Sequence, residues 1–340
     1  MRPTHVHFDP LMAPDEADAM RRLCERFGTY STYGADAAPE ESGQTRFAPE
    51  VPQRYDAALN FVKTGGRFGH REDPRMLAAR TNYFRGTYSY DGSAASVPGI
   101  EPFLHHEGLR YAASKVHGAE LVVPAIVYAN LLVPGQELAV HTDVPEFRGA
   151  NRTVVPQWLC VVMLHSGLFE PWRRRIATGI AYFSDCAGGE LAFYADGPEA
   201  PARTIPVRHN TAILMDADTI FHGVDRVASD DPLPPFSKGM QLRHEGRGTW
   251  RLFDAERELA RYAWEELRFS VSWKAYCYAD EAERRRAEEH NDDLSLPQIL
   301  DALCADLRER GRLGAERPSD GDLARLLIDE YVRFPRPLAA

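Results

Sequence analysis

His141 and Asp143 close the stretch Asn130-Leu-Leu-Val-Pro-Gly-Gln-Glu-Leu-Ala-Val-His-Thr-Asp143, an apolar run that ends in an H-x-D pair. In an extended chain residues i and i+2 point to the same side, so this imidazole and this carboxylate can close on one ion. Taken alone, the pair reads more simply as a histidine beside an acid in a strand. A third ligand changes that reading. His222 supplies one, after a second apolar run, Ala212-Ile-Leu-Met-Asp-Ala-Asp-Thr-Ile-Phe-His222. Two imidazoles and one carboxylate occupy one face of an octahedron and leave the opposite positions open, which suits Fe(II) that must take a chelating co-substrate and O2. Asp216 and Asp218 are expected to shape the turn before His222. His105 and His106 fall on a predicted helix, where adjacent side chains diverge by about 100° and cannot share an ion.

A second polar set lies further along. Arg268-Phe-Ser-Val-Ser-Trp-Lys274 alternates, with Arg268, Ser270, Ser272 and Lys274 on one face and Phe269, Val271 and Trp273 on the other. An arginine facing a protein interior is costly unless paired, and the carboxylate of a dianionic co-substrate would satisfy its planar fork. The alternative is an ordinary salt bridge to the acidic helices nearby. Arg226, close behind His222, is the rival anchor, but period 2 puts it on the face of His222 with little room for a chelating acid between them. Tyr182 reads either as a co-substrate contact or as core, and Asn130 either as a contact or as turn chemistry before Pro134-Gly135.

These residues need elements to hold them. Pro14 to Phe27 spaces Ala17, Met20, Leu23, Cys24 and Phe27 along one helical stripe, and Glu101 to Val116 reads as a second helix. From Leu121 the pattern turns to strands: 121–133, 138–141, 157–165, 176–184, 190–194, 204–207, 211–215, 222–227 and 267–278, punctuated by Pro134-Gly135, Gly188-Gly189 and Asp196-Gly197-Pro198. A stretch from Ser229 to Glu266 interrupts them as an insertion, with a possible short hairpin and a helix-like segment from Phe253 to Glu266. Three helical segments follow, 281–290, 296–310 and 320–334. The expected architecture is a mainly β core, a double-stranded β-helix or jelly roll, with N-terminal and C-terminal helices packed around it. Its expected divisions are 1–118, a helical and loop region supporting the barrel; 119–280, the core with the insertion 229–266; and 281–340, the C-terminal helices, which could also form a homodimer contact.

Composition narrows the class. With 340 residues the chain can bury a full core, and its net charge of −10 argues against a nucleic-acid partner. Five scattered cysteines, Cys24, Cys160, Cys186, Cys277 and Cys304, suggest reduced thiols rather than a disulfide framework or a zinc cluster. No apolar run reaches membrane-spanning length, and the start lacks the apolar centre of a secretory signal, so a cytoplasmic protein without a membrane partner is expected.

The chain resembles the Fe(II)- and 2-oxoglutarate-dependent dioxygenases over roughly residues 122–280. Asn130-x-x-x-Pro-Gly-x-x-Leu-x-x-His-x-Asp143 is similar to the stretch carrying the first two iron ligands in the AlkB-type branch, whose Asn contacts 2-oxoglutarate. Ile180-Ala-Tyr-Phe-Ser, Gly188-Gly-Glu-Leu, His222 and the run from Arg268 to Arg284 resemble the prolyl-hydroxylase branch. The resemblance implies Fe(II) on His141, Asp143 and His222, with Arg268 and Tyr182 on the distal carboxylate of 2-oxoglutarate and Asn130 and Ser270 beside it. It further implies hydroxylation by O2 with release of succinate and CO2. Two departures stand out: the insertion separates His222 from Arg268 by more than the family's usual spacing, and Leu132 stands where the AlkB-type branch has an aromatic. The substrate expected is a small metabolite, such as an amino acid or natural-product intermediate bearing a carboxylate. Its walls are expected from Tyr30–Glu50, His70–Tyr90 and the insertion's Arg243, His244, Arg247 and Trp250. The alternatives are a protein hydroxylase of prolyl type, a demethylase of alkylated nucleic acid, and a jelly-roll metal-binding protein that does not use 2-oxoglutarate.

Overall fold

The computed structural model describes residues 2–32, 47–55, 83–90, 97–231, 234, 236–237 and 239–332. Among them run strands β1 (His5–Phe8), β2 (Thr29–Ser31), β3 (Phe84–Ser89), β4 (Leu121–Leu132), β5 (Leu138–His141), β6 (Glu146–Phe147), β7 (Arg173–Tyr182), β8 (Leu191–Phe193), β9 (Arg203–Ile205), β10 (Thr211–Met215) and β11 (His222–Val224). Strands β12 (Gln241–His244), β13 (Thr249–Asp254), β14 (Arg257–Ala263) and β15 (Arg268–Tyr278) complete the set. The helices are α1 (Pro14–Phe27), α2 (Glu101–Leu104), α3 (Glu107–His117), α4 (Gln157–Ser166), α5 (Glu281–Glu289), α6 (Leu296–Glu309) and α7 (Asp320–Tyr331).

The strands form two antiparallel sheets. The larger follows the order β1-β10-β7-β15-β4-β3-β2-β12-β13-β14, with β6 on the flank of β7, and the smaller is β5-β11-β8-β9. The long pair β4 and β15 fixes the register of the large sheet, Asn130 opposite Ser270 and Tyr128 opposite Ser272. Because side chains alternate, Phe269, Val271 and Trp273 fall together on one face and pack with Met20 and Leu23 of α1 and Leu109 and Ala113 of α3. The opposite face meets the small sheet, where Ile180 and Tyr182 of β7 and Ile213 and Met215 of β10 pack against Leu191 and Phe193 of β8. Two covered faces of one sheet follow from a strand apolar on one side and polar only at its chemical positions.

Helix α1 begins with Pro14 at its first turn, buries Ala17, Met20, Leu23 and Cys24, and stops at Gly28, whose φ of 74° is the left-handed turn that glycine adopts without a Cβ clash. The predicted helix over 101–116 is two, broken at His105-His106. The ring of His106 caps α3 by accepting the Leu109 N–H at 3.2 Å.

Two segments differ from the reading of the sequence. Residues 157–165 form helix α4 rather than a strand. Trp158 through Met163 are all buried, so this helix is apolar all round and carries no 3.6-residue period to betray it. Conversely, 253–266 is not helical but belongs to β13, β14 and a closing 3-10 turn. The Ala, Glu, Arg and Leu content favours helix locally, but pairing with β13 from Thr249↔Ala263 to Asp254↔Arg257 overrides it. With β12 these strands extend the large sheet beyond β2, so the insertion is a three-stranded meander. Helix α4 also nucleates a satellite core, in which Trp158, Leu159 and Val162 meet Ile299, Leu303 and Leu307 of α6 and Leu323, Leu327 and Ile328 of α7. The five cysteines are free thiols. No helix of the described residues is long and apolar enough to cross a membrane.

Candidate metal centre and its cavities

His141 ends β5, His222 begins β11, and the two are opposite each other in the antiparallel register. Paired positions put side chains on the same face, and the ring centroids lie 4.6 Å apart. Nδ1 of His141 donates to the Ala139 carbonyl at 2.7 Å, and Nδ1 of His222 to the Ile220 carbonyl at 2.9 Å. Each backbone bond fixes the tautomer and leaves Nε2 with its lone pair outward. Asp143, whose N–H is held by the Ala217 carbonyl at 2.9 Å, brings Oδ1 to 3.9 Å from both Nε2 atoms. One donor atom from each residue lies within 4.8 Å of the others.

The electrostatics suit a cation. Burial, then the His222 ring and Arg54, push His141 down to about 3, and burial also lowers His222. Both imidazoles are therefore neutral at neutral pH and free to ligate. Burial would raise the Asp143 carboxyl, but Lys274 and the two imidazoles outweigh it and hold it below the usual carboxylate range. Lys274 Nζ donates to Asp143 Oδ2 at 2.7 Å. The donor set of two neutral imidazoles and one carboxylate on a common side, each oriented by a further hydrogen bond, fits a divalent first-row metal.

Arg268 lies 2 % exposed at the start of β15. Its Nε donates to the Gly189 carbonyl at 2.7 Å, Nη1 to Ser270 Oγ at 3.0 Å and Nη2 to Tyr182 Oη at 3.4 Å. A guanidinium has five N–H donors, so two remain. No carboxylate of the described residues pairs with it, and a buried charge without a counter-ion is costly. Gly188-Gly189 makes this possible. Both have φ of 71°, and a Cβ on Gly189 would sit 2.9 Å from Arg268 Cδ. The rival Arg226 is exposed, beyond the end of β11, and does not line the chamber.

Two cavities meet at the triad. The inner one, about 60 Å³, is lined by His141, Asp143 and His222 together with Asn130, Arg268, Ser270 and Ser272. Across the sheet Tyr182, Ser270, Asn130 and Arg85 form one row of paired positions, and the middle two, 140 residues apart in sequence, thereby share the wall of the inner cavity. Asn130 Nδ2 donates to Ser272 Oγ at 3.1 Å, and its Oδ1 is buried without a hydrogen-bond partner. Tyr182 touches Arg268 but belongs to the core between the sheets rather than to the cavity lining. The outer cavity, about 450 Å³, shares Tyr83, Tyr128, Leu138, His141 and Asp143 with the inner one and adds Arg54, Arg85, Arg152, Glu146 and Lys274.

Of the walls expected, the segment 70–90 supplies Tyr83 and Arg85, but no described residue of the insertion lines either cavity. Trp250 is fully buried in the core under α1, with the His244 ring tilted against it at 4.9 Å between centroids, and Arg243 lies over Phe253. Most of 30–50 and 70–82 lies outside the described residues. Sequence reasoning missed Arg54 and Arg152, which stand on segments without helical or strand period, and gave Lys274 little weight although its alternation with Arg268 had put it on the correct face.

No protein-family model matches the chain, and no curated protein matches it either. Among solved structures it is similar to a prolyl-4-hydroxylase of Pseudomonas putida, at 13 % identity over 81 % of this chain and 93 % of that one, with a TM-score of 0.39. It is also similar to HygX of Streptomyces hygroscopicus, solved with nickel, 2-oxoglutarate and hygromycin B, at 10 % identity over 81 % and 84 % with a TM-score of 0.41. A third is SnoN, the non-heme α-ketoglutarate-dependent epimerase of nogalamycin biosynthesis, at 11 % identity over 100 % and 92 % with a TM-score of 0.41. At that level of likeness the side chains of the site, not the neighbours, decide the function.

Proposed function

We propose that this chain is an Fe(II)- and 2-oxoglutarate-dependent dioxygenase that hydroxylates a small molecule, and that its two sheets are a double-stranded β-helix enlarged by the meander. The observation that carries the reading is the buried Arg268, with two guanidinium N–H donors left and no acid of the described residues paired with it, in the same small chamber as three convergent metal ligands. A dianion that chelates a metal with one end and meets an arginine with the other answers both needs.

His141, Asp143 and His222 would hold Fe(II), and 2-oxoglutarate would lie between them and Arg268. When bound, the iron supplies O2 activation, in which substrate R–H, O2 and 2-oxoglutarate give R–OH, succinate and CO2. The protein's own part is positional. The backbone carbonyls of Ala139 and Ile220 hold the imidazoles in the ligating tautomer, and Gly189, Ser270 and Tyr182 hold the guanidinium plane. A half-turn of the Asn130 amide, with Ser272 then donating to Oδ1, would offer Nδ2 to a co-substrate oxygen. Leu132, Leu138, Ile180, Leu191 and Val224 keep the inner chamber apolar between its polar groups, which limits water there. In this reading the described residues of 1–118 support the core, those of 119–280 carry the chemistry, and α6 and α7 brace α4. A homodimer through the last helices would have to use their outer faces, since their apolar stripes are spent on α4.

The test is anaerobic addition of Fe(II) and 2-oxoglutarate to the purified protein, followed by air. The expected result is a visible metal-to-ligand absorption band dependent on both, then slow succinate release in the absence of primary substrate, with both lost in His141→Ala. A protein that binds the metal without the band or the succinate is a metal-binding jelly roll instead.

A further inference from the structure

The two ligands at the end of β5 are joined through a peptide that is held on both sides. Strand β5 stops at His141, so Asp143 lies beyond the last paired position and the ladder does not place it. The peptide between Thr142 and Asp143 does. Its N–H donates to the Ala217 carbonyl at 2.9 Å, and its C=O accepts from Arg54 Nη2 at 3.0 Å. Because a peptide unit is planar, fixing both groups fixes the turn that leads from the imidazole to the carboxylate. Arg54 is placed in turn by its neighbour. Helix α4 has Pro156 at its N-terminal cap, which offers no side-chain acceptor, and Gln53 supplies what is missing: its Oε1 accepts the Gln157 N–H at 3.0 Å and its carbonyl the Trp158 N–H at 2.9 Å. Phe47 and Val51 of the same segment are buried with Trp158 in the satellite core that α6 and α7 complete, the Phe47 and Trp158 ring centroids 5.8 Å apart. A continuous path therefore runs from α6 and α7 through α4, Gln53 and Arg54 to the peptide that aims Asp143. Electrostatically Arg54 is out of place there. After burial and the His222 ring, its charge helps to keep protons off His141, and the same field opposes a metal cation. Its benefit must lie in what it holds.

We propose that Arg54 is a positioning residue of the metal centre, which fixes the peptide between Thr142 and Asp143 and so the direction of the ligand carboxylate, and that α4, α6 and α7 act on metal retention through it. This rests on the reading of His141, Asp143 and His222 as metal ligands, but not on the use of 2-oxoglutarate. The role belongs to the hydrogen bond that Arg54 makes with the backbone, and it is exercised against the effect of its charge.

The probe is Co(II), titrated calorimetrically into the full chain and followed by its visible ligand-field spectrum, which reports the geometry of the donors as well as their affinity. Arg54→Ala is expected to bind Co(II) about 10- to 100-fold more weakly than the wild type, with a shifted spectrum. Guanidinium chloride at about 10 mM, far too dilute to unfold the protein, is expected to restore part of the affinity and of the wild-type spectrum by donating to the Thr142 carbonyl, while equimolar KCl restores neither. The proposal is overturned if Arg54→Ala binds Co(II) as tightly as the wild type, if it binds more tightly, as the loss of a nearby cation alone would dictate, or if guanidinium and potassium act alike. Gln53→Ala leaves the charge of Arg54 in place and is expected to weaken Co(II) binding severalfold. It decides the matter should Arg54→Ala fail to fold, an unchanged affinity and spectrum then overturning the brace. A wild type without the Co(II) spectrum, or His141→Ala that keeps it, would sink the metal centre and this role together. A wild type that binds, beside variants that bind equally well, sinks the role alone.

Discussion

Lys274 and Asp143 form an ion pair at 2.7 Å that uses Oδ2, while Oδ1 of the same carboxylate is the atom 3.9 Å from each imidazole. The carboxylate is thus divided between an internal cation and the place where a metal belongs. Its orientation is set before any metal arrives.

Removing that cation strands the carboxylate. Both side chains are about four-fifths buried. Lys274→Met is expected to lower the stability of the metal-free protein by about 3 kcal/mol, because breaking one half of a buried pair leaves the other uncompensated. A bound metal restores the missing positive charge, so the deficit should shrink when Mn(II) is added. Thermal unfolding of both proteins with and without Mn(II) checks this. An equal deficit in both conditions would mean that Lys274 serves packing alone.

Arg268→Lys keeps the charge and loses the fork. The dissociation constant of 2-oxoglutarate, read from the Fe(II)-dependent absorption band under argon, is expected to rise roughly 10- to 100-fold. Affinity for Fe(II) itself should change little, since Arg268 touches none of the three ligands. A fall in metal affinity of the same size would refute the separation of the two roles.

Gly189→Ala attacks the same anchor from behind. At φ of 71° an L-residue is strained, and the new Cβ would lie 2.9 Å from Arg268 Cδ, midway along the side chain where little yielding is available. A loss of about 1–2 kcal/mol in stability should accompany a raised KM for 2-oxoglutarate. Arg226→Ala serves as the contrast, because that side chain is exposed and away from the chamber. Were the contrast to raise the same KM, the exposed arginine would be the anchor.

Acid should unfold the protein partly through His117, at the end of α3. Burial, offset only in part by Asp216, lowers this imidazole to about 4. The unfolded chain titrates near 6.5, so between about pH 6.5 and 4 it binds a proton that the folded protein refuses, and stability falls as pH falls through that window. His117→Gln should flatten this part of the denaturation-midpoint profile by up to about 3 kcal/mol. Parallel profiles for the two proteins would remove His117 from the account.

Much of the site was legible because strands obey a period of two. The face shared by Arg268, Ser270, Ser272 and Lys274 and the common side of His141 and Asp143 follow from alternation alone. The opposition of His141 and His222 across β5 and β11 does not, since register is a tertiary property. The same limit hid the Lys274–Asp143 pair. Helix α4 was illegible for a different reason, an apolar surface on every side, and the meander because helix-forming residues were recruited into strands by their neighbours. Arg54 and Arg152 sit where no period operates, so nothing local marked them.

The meander also leaves β14 as an outermost strand, paired among the described residues only with β13. Such a rim invites a stranger's backbone to dock along it. Arg251 reaches across to Glu258 from β13, and Arg261 clasps the same carboxylate from further along β14. A hem of opposed charges makes poor ground for such docking, so the long detour between His222 and Arg268 ends in a guarded rim.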